Sequence, residues 1–180
     1  MFDAKFSLLV LFLFFCTLIF LYDYLFRRVP NKLLLTAIAL QLGCLVLLGK
    51  GLNGAGWVSA LSGLIAGLAF FLPLYLLRAM AAGDVKFFAV LGLLLGPGTL
   101  LPVFLIASLI AAVHSVVIYA SRLGIAPKLQ LAATRITRCS WYQRMLEKRG
   151  NRVGIPYAAY MAVAGAWIAM HSAGVVPGFI

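Results

Sequence analysis

Asp23 and Asp84 are the residues of this sequence whose type and setting could carry chemistry. Asp23 sits inside the apolar run from Leu18 to Phe26, about one helical turn before Arg27. Asp84 lies between Arg78 and Lys86, where another apolar run begins. A carboxylate at membrane depth is expensive and usually functional. Two carboxylates that approach each other share a proton, because both cannot easily be ionised. Such a pair can hold a water, with one member as base and the other as acid. The alternative is two separate aspartates, each paired with a neighbouring Arg or Lys for topology or folding. The only other acids are Asp3, at the terminus, and Glu147, a surface partner for Arg144 and Lys148.

The surroundings of the two aspartates are those of a membrane protein. The chain is 64% hydrophobic with a mean hydropathy of +1.08, and only 11% of it is charged. A soluble fold of 180 residues could not hide that much apolar surface, so the bilayer is part of the solvent. The sequence predicts a single all-α integral membrane domain, residues 1–180, with six transmembrane helices. The first five spans run from about Lys5 to Phe26, Leu33 to Leu48, Trp57 to Leu77, near Met80 to Gly96, and then on to Ser121. Gly96-Pro97-Gly98 is the turn between the last two of these. The sixth runs from about Gly154 to Met170. The fourth is the short one: Val85 to Gly96 reaches only about 18 Å. It must start earlier, near Met80, or stop short of the far side.

Charge sets the expected orientation. The net charge is +11, and the bases lie between apolar runs. With six crossings and the N-terminus outside, 13 of the 15 Lys and Arg residues fall on the cytoplasmic side, leaving Lys5 and Lys50 opposite. The positive-inside rule prefers this arrangement. It puts Asp23 and Asp84 at similar depth near the cytoplasmic edge, although neither entered the charge argument. The patterning argues against nucleic acid as a partner. The basic loop at 122–152 is either a short helix on the anionic inner leaflet or a solvated linker. The first span is too long, and its bases too late, for a cleavable signal.

The local sequence adds detail. Gly83 lets the chain bend before Asp84, and Lys86 could snorkel to the surface or tune a carboxylate. Pro30 closes the first helical region, and Asn31 is a natural N-cap for the second helix. Taken alone, Arg27-Arg28-Val29-Pro30-Asn31 is a cytoplasmic turn. Gly63 and Gly67 form a small-residue face for close helix packing, as do Ala158, Ala162 and Ala166. Cys16, Cys44 and Cys139 are scattered apolar filler, with no disulfide framework or zinc spacing. His114 and His171 are expected to be buried, neutral and hydrogen bonded, with no metal site. Trp57 and Trp167 belong to interface belts or packing. No cofactor is implied.

Two of these segments resemble the motifs of the prepilin peptidases, the type IV leader peptidases. Asp23 followed by Val29-Pro30-Asn31 is similar to their first-aspartate pattern, an aspartate ahead of a hydrophobic-Pro-Asn/Asp turn. Gly83-Asp84-Val85-Lys86 resembles their second motif, Gly-x-Gly-Asp-x-Lys, with Ala81 standing where its first glycine is expected. Ile155-Pro156-Tyr157-Ala158 is similar to the Pro-Tyr start of the last helix in short members. The resemblance covers about Asp23 to Gly165. It implies a six-helix fold of the Gly-x-Gly-Asp protease type, with Asp23 and Asp84 as the catalytic aspartic pair. It also implies cleavage of the short basic leader of pilin-like precursors at the cytoplasmic face of a bacterial inner membrane. The paired CxxC motifs of the long bifunctional members are absent from this sequence, which looks like the minimal form serving tight-adherence (Flp-type) pili. Intrinsic N-methyltransferase activity is therefore not expected. The implied partners are the precursors, the bilayer and the pilus assembly machinery.

Two rivals stand beside the peptidase. A small transporter would use the aspartates as an ion relay, but it needs carboxylates near the midplane or strung along a path. A noncatalytic scaffold of a secretion assembly would tolerate Asn or Ala at both positions.

Overall fold

The connections among the first five apolar runs are short, so those helices must run antiparallel to their neighbours in the chain. In a computed structural model they do. The structure describes residues 2–52, 54–123 and 155–175 and, singly, 140 and 143. Along the three long stretches lie α1 (Phe2–Phe26), α2 (Asn31–Leu48), α3 (Trp57–Leu76), α4 (Ala82–Leu95), a 3-10 turn (Pro97–Thr99), α5 (Leu100–Arg122) and α6 (Tyr157–Ser172). The loop expected at 122–152 lies almost wholly outside the described residues, as do Glu147 and Cys139.

Helix ends follow from a few local features. After α1, Arg27 takes a left-handed φ of 53°, and its N–H bonds to the Asp23 carbonyl at 2.8 Å. This ends the helix three residues ahead of Pro30. Asn31 is not the cap of α2: the helix begins one residue earlier than expected. Pro30 holds the extended N-cap position with φ −73° and ψ 121°, and its carbonyl accepts from Leu33 and Leu34. Asn31 is therefore the first helical residue, and its side chain is exposed. After α3, Arg78 at φ 57° closes a Schellman motif, with Arg78 N–H on Tyr75 and Ala79 N–H on Leu74.

Among the described residues, four segments are long and apolar enough to cross a membrane: Phe6–Phe26, Asn31–Leu48, Trp57–Leu76 and Pro97–Ala120. α4 and α6 are shorter. α4 has 14 residues, about 21 Å at 1.5 Å per residue. It starts at Ala82, two residues after Met80, and Ala81 ahead of it is still extended. Burial explains why this works. Nearly all of α4 from Val85 to Leu94 is buried, and α6 is buried from Ala158 to Ala162. These two helices are sheathed by their neighbours and need not meet lipid along a full bilayer thickness. The long helices instead turn large side chains such as Leu47, Val58, Ile65, Leu105 and Leu109 outward.

α4 packs most extensively on α3 and also touches α2, α5 and α6, while α6 lies between α1 and α5. Glycine makes the α3–α4 approach possible. A Cβ on Gly63 would collide with the Gly92 backbone, and one on Gly67 would lie 2.8 Å from the Cα of Ala89. The small-residue face read from the sequence is thus a contact inside the monomer. Phe71 stacks on Phe88 with ring centroids 4.2 Å apart, and Phe70, Phe104 and Tyr157 complete an aromatic cluster joining α3, α4, α5 and α6. At the other end of the bundle, fully buried Gln41 donates to the Leu93 carbonyl at 3.0 Å and accepts from the Leu52 N–H at 2.9 Å. Of the histidines, His114 is half-buried against the Tyr160 ring, whereas His171 is exposed in the last turn of α6, contrary to its expected burial. Cys16 is buried in the core.

Candidate active site

The site is assembled at the start of α6. The opening N–H groups of a helix have no partner within it. Here the residue in the capping position is Pro156, which has no side-chain acceptor to offer. Each of the four N–H groups nevertheless has a partner. Tyr157 donates to the Ile155 carbonyl at 2.9 Å, and Tyr160 donates to that of Pro156 at 3.4 Å. Ala158 donates to the Asp84 carboxylate. Ala159 donates to Oδ2 of Asp23 at 3.0 Å. Ala158 and Ala159 are both 0% exposed, so bulk water could not replace the carboxylates. Two aspartates from different helices therefore cap a third, where the helix dipole also favours negative charge.

Each aspartate is placed by its own helix as well. Asp23 lies in the last turn of α1 and is 5% exposed. Asp84 lies in the first turn of α4 and is partly buried; its carboxylate also accepts from the N–H of Ala81. This is the back-reaching bond of a capping box, made from the third helical residue to the N-cap. Ala81 has φ −78° and ψ 146°, extended backbone open to any residue. Alanine therefore fits where the motif has its first glycine.

The two carboxylates repel each other across the start of α6. They reach this proximity through α6, which packs on both α1 and α4. A second link runs between the two motifs. A Cβ on Gly83 would lie 3.4 Å from Cβ and Cγ2 of Val29, so the turn after Asp23 rests on the residue before Asp84. Lys86 does not join the pair. It is exposed and lines a groove with Asn31, Leu34 and Leu68, on another side of α4.

Sequence reasoning did not single out Ala158 and Ala159 as donors to the aspartates, or Tyr160; Tyr157 entered only as part of the Pro-Tyr start of the last helix. Tyr157 exchanges a hydrogen bond with the Ser108 hydroxyl at 2.8 Å and faces Asp84 electrostatically. Tyr160 is buried and lies within electrostatic reach of Arg27, Tyr24 and Asp23. One signal could have found the donors: a helix start at Pro-Tyr-Ala-Ala has no Ser, Thr, Asp or Asn to cap it, so it must borrow acceptors. Among the described residues, no group of three or more His, Cys, Asp or Glu could hold a metal ion.

The fold and site define an all-helical, multi-pass membrane protein in which two carboxylates from separate helices meet at the buried start of a third. Residues 10–116 match the model of the type IV leader peptidase family, and the chain belongs to that family. The match includes both aspartates and ends before α6. Membership makes the protein a hydrolase of the leader peptidase kind, with pilin-like precursors as the implied substrates. Neither the curated proteins nor the solved structures compared with the chain gave a match.

Proposed function

We propose that the protein is a membrane-embedded aspartic endopeptidase with Asp23 and Asp84 as its catalytic pair. It removes the short basic leader from type IV pilin-like precursors of the Flp type, at the cytoplasmic face of a bacterial inner membrane. The observation that carries this reading is the shared cap of α6, where buried N–H groups of Ala158 and Ala159 hold one carboxylate each. Two acids that repel each other, each held by a backbone donor of α6, suit a pair that shares one proton. The ionised member takes a proton from water as it attacks the scissile carbonyl carbon. The protonated member delivers its proton to the oxyanion or the leaving amine. The pair titrates as a unit, so the two roles belong to the dyad.

The placement of both acids at one end of the bundle favours hydrolysis over ion relay. The precursor's apolar segment would lie in the bilayer beside the enzyme, with its leader at the aspartates and the pilus assembly machinery receiving the product. The test is co-expression with a pilin-like precursor, comparing wild type with Asp23→Asn and Asp84→Asn at matched membrane levels. Each variant should lose cleavage by a factor on the order of 10²–10⁴. Normal leader removal by either variant would refute the mechanism. A cation flux that depends on Asp84, without proteolysis, would put the transporter in its place.

A further inference from the structure

Tyr160 is 5% exposed, and its hydroxyl has no hydrogen-bond partner among the described residues. Buried hydroxyls are almost always paired, because an unpaired one forfeits its bonds to water. The contrast with Tyr157, one turn earlier on the same helix, is direct. That tyrosine has its hydroxyl on Ser108 at 2.8 Å. The two rings serve the two halves of the site, with Tyr157 on the Asp84 side and Tyr160 on the Asp23 side.

The direction of Tyr160 follows from the helix. Side chains on an α-helix lean toward its N-terminus, so a tyrosine at the fourth position of α6 points back to the capped end. It follows directly on Ala159, whose N–H holds Asp23, and lies within electrostatic reach of Asp23, Tyr24 and Arg27, while the ring rests against His114 with centroids 5.7 Å apart. The phenol is thus a donor near an acid of the pair, on the side of the site where Arg27 also lies.

We propose that the Tyr160 hydroxyl is the donor that receives the scissile carbonyl oxygen of the bound precursor, making Tyr160 a third catalytic residue. The inference rests on the peptidase reading above. As the water oxygen bonds to the carbonyl carbon, the carbonyl π pair moves onto oxygen and the water proton passes to the ionised aspartate. The new negative charge accepts a hydrogen bond from Tyr160, which keeps its proton throughout. When the pair returns to reform the carbonyl, the C–N bond breaks and the amine takes the proton of the protonated aspartate. A donor aimed at developing charge in a water-poor site acts mainly on the transition state.

The experiment uses the full-length enzyme in proteoliposomes with a purified pilin-like precursor, comparing wild type, Tyr160→Phe, Tyr157→Phe and Asp23→Asn. Tyr160→Phe keeps the ring and removes only the unpaired hydroxyl. Its kcat should fall on the order of 10²-fold with KM within about twofold, the effect of losing one oxyanion donor, while Tm stays level or rises. Tyr157→Phe breaks a satisfied pair and should lower Tm instead. Wild-type kcat in Tyr160→Phe would overturn the inference and leave the aspartic mechanism standing. So would a kcat that falls only in step with Tm, which marks a packing role. Absence of cleavage by wild type would overturn the peptidase reading and this inference with it.

Discussion

If Asp23 caps α6, its two roles can be separated by choosing what replaces it. Asn keeps an acceptor at the same reach, whereas Leu keeps the volume and removes the acceptor. In Asp23→Asn the N–H of Ala159 still finds an oxygen, and repulsion between Asp23 and Asp84 disappears. In Asp23→Leu that N–H is stranded, at a residue with 0% exposure that water cannot reach. Leaving a buried backbone donor unsatisfied costs about 1–3 kcal/mol. Relief of repulsion is common to both variants and cancels in the comparison. Asp23→Leu should therefore be less stable than Asp23→Asn by about 1–3 kcal/mol, while both are inactive. Thermal unfolding in one detergent, followed by helical circular dichroism, reads the difference, which amounts to several degrees at this chain length. Equal stability of the two variants would refute the cap and, with it, the account of how α6 brings the aspartates together.

Other sites give sharper separations of fold from function. Gln41→Leu strands the Leu93 carbonyl and the Leu52 N–H at the end of the bundle away from the site; unfolding should show a loss of about 1–3 kcal/mol, with kcat of the surviving enzyme unchanged. Gly63→Leu drives a side chain into the Gly92 backbone and should cost at least about 1–3 kcal/mol, with cleavage falling because α4, which carries Asp84, is displaced. Ala81→Gly restores the family glycine at a position whose φ is −78°; steady-state cleavage should not improve, and stability should drop by about 0.4–1 kcal/mol through the freer unfolded chain.

The parts of this protein that were legible in its sequence are those governed by neighbours along the chain. α1, α2, α3 and α5 are apolar runs bounded by glycine, proline or basic turns, and they appear within a few residues of where those signals put them. Gly63 and Gly67 were legible for the same reason, since two small residues one turn apart leave a flat face whatever it meets. The misplacement of Asn31 is of another kind. Asn and Pro both suit a helix start, and the fixed φ of Pro30 won the N-cap position because its carbonyl could serve Leu33 and Leu34. Gln41 was overlooked because a single amide in an apolar run does not reveal the Leu93 carbonyl and Leu52 N–H that it will join.

The site shows the same division more sharply. Asp23 and Asp84 stood out because an acid in an apolar run is costly unless something compensates it, and the sequence offered Arg27, Arg78 and Lys86 as the obvious compensation. The structure adds backbone. α1 and α4 each reach the start of α6, and the N–H groups that hold the acids come from two alanines, residues with no side-chain chemistry to notice. A backbone donor has no sequence signature of its own. What can be read is the lack that calls for one: a buried helix beginning Ile-Pro-Tyr-Ala-Ala with no residue able to cap it. A helix start without a side-chain cap and a carboxylate in an apolar run are complementary needs. In a membrane protein, where water is scarce, a sequence with one such helix start and two such acids is already describing a contact between them.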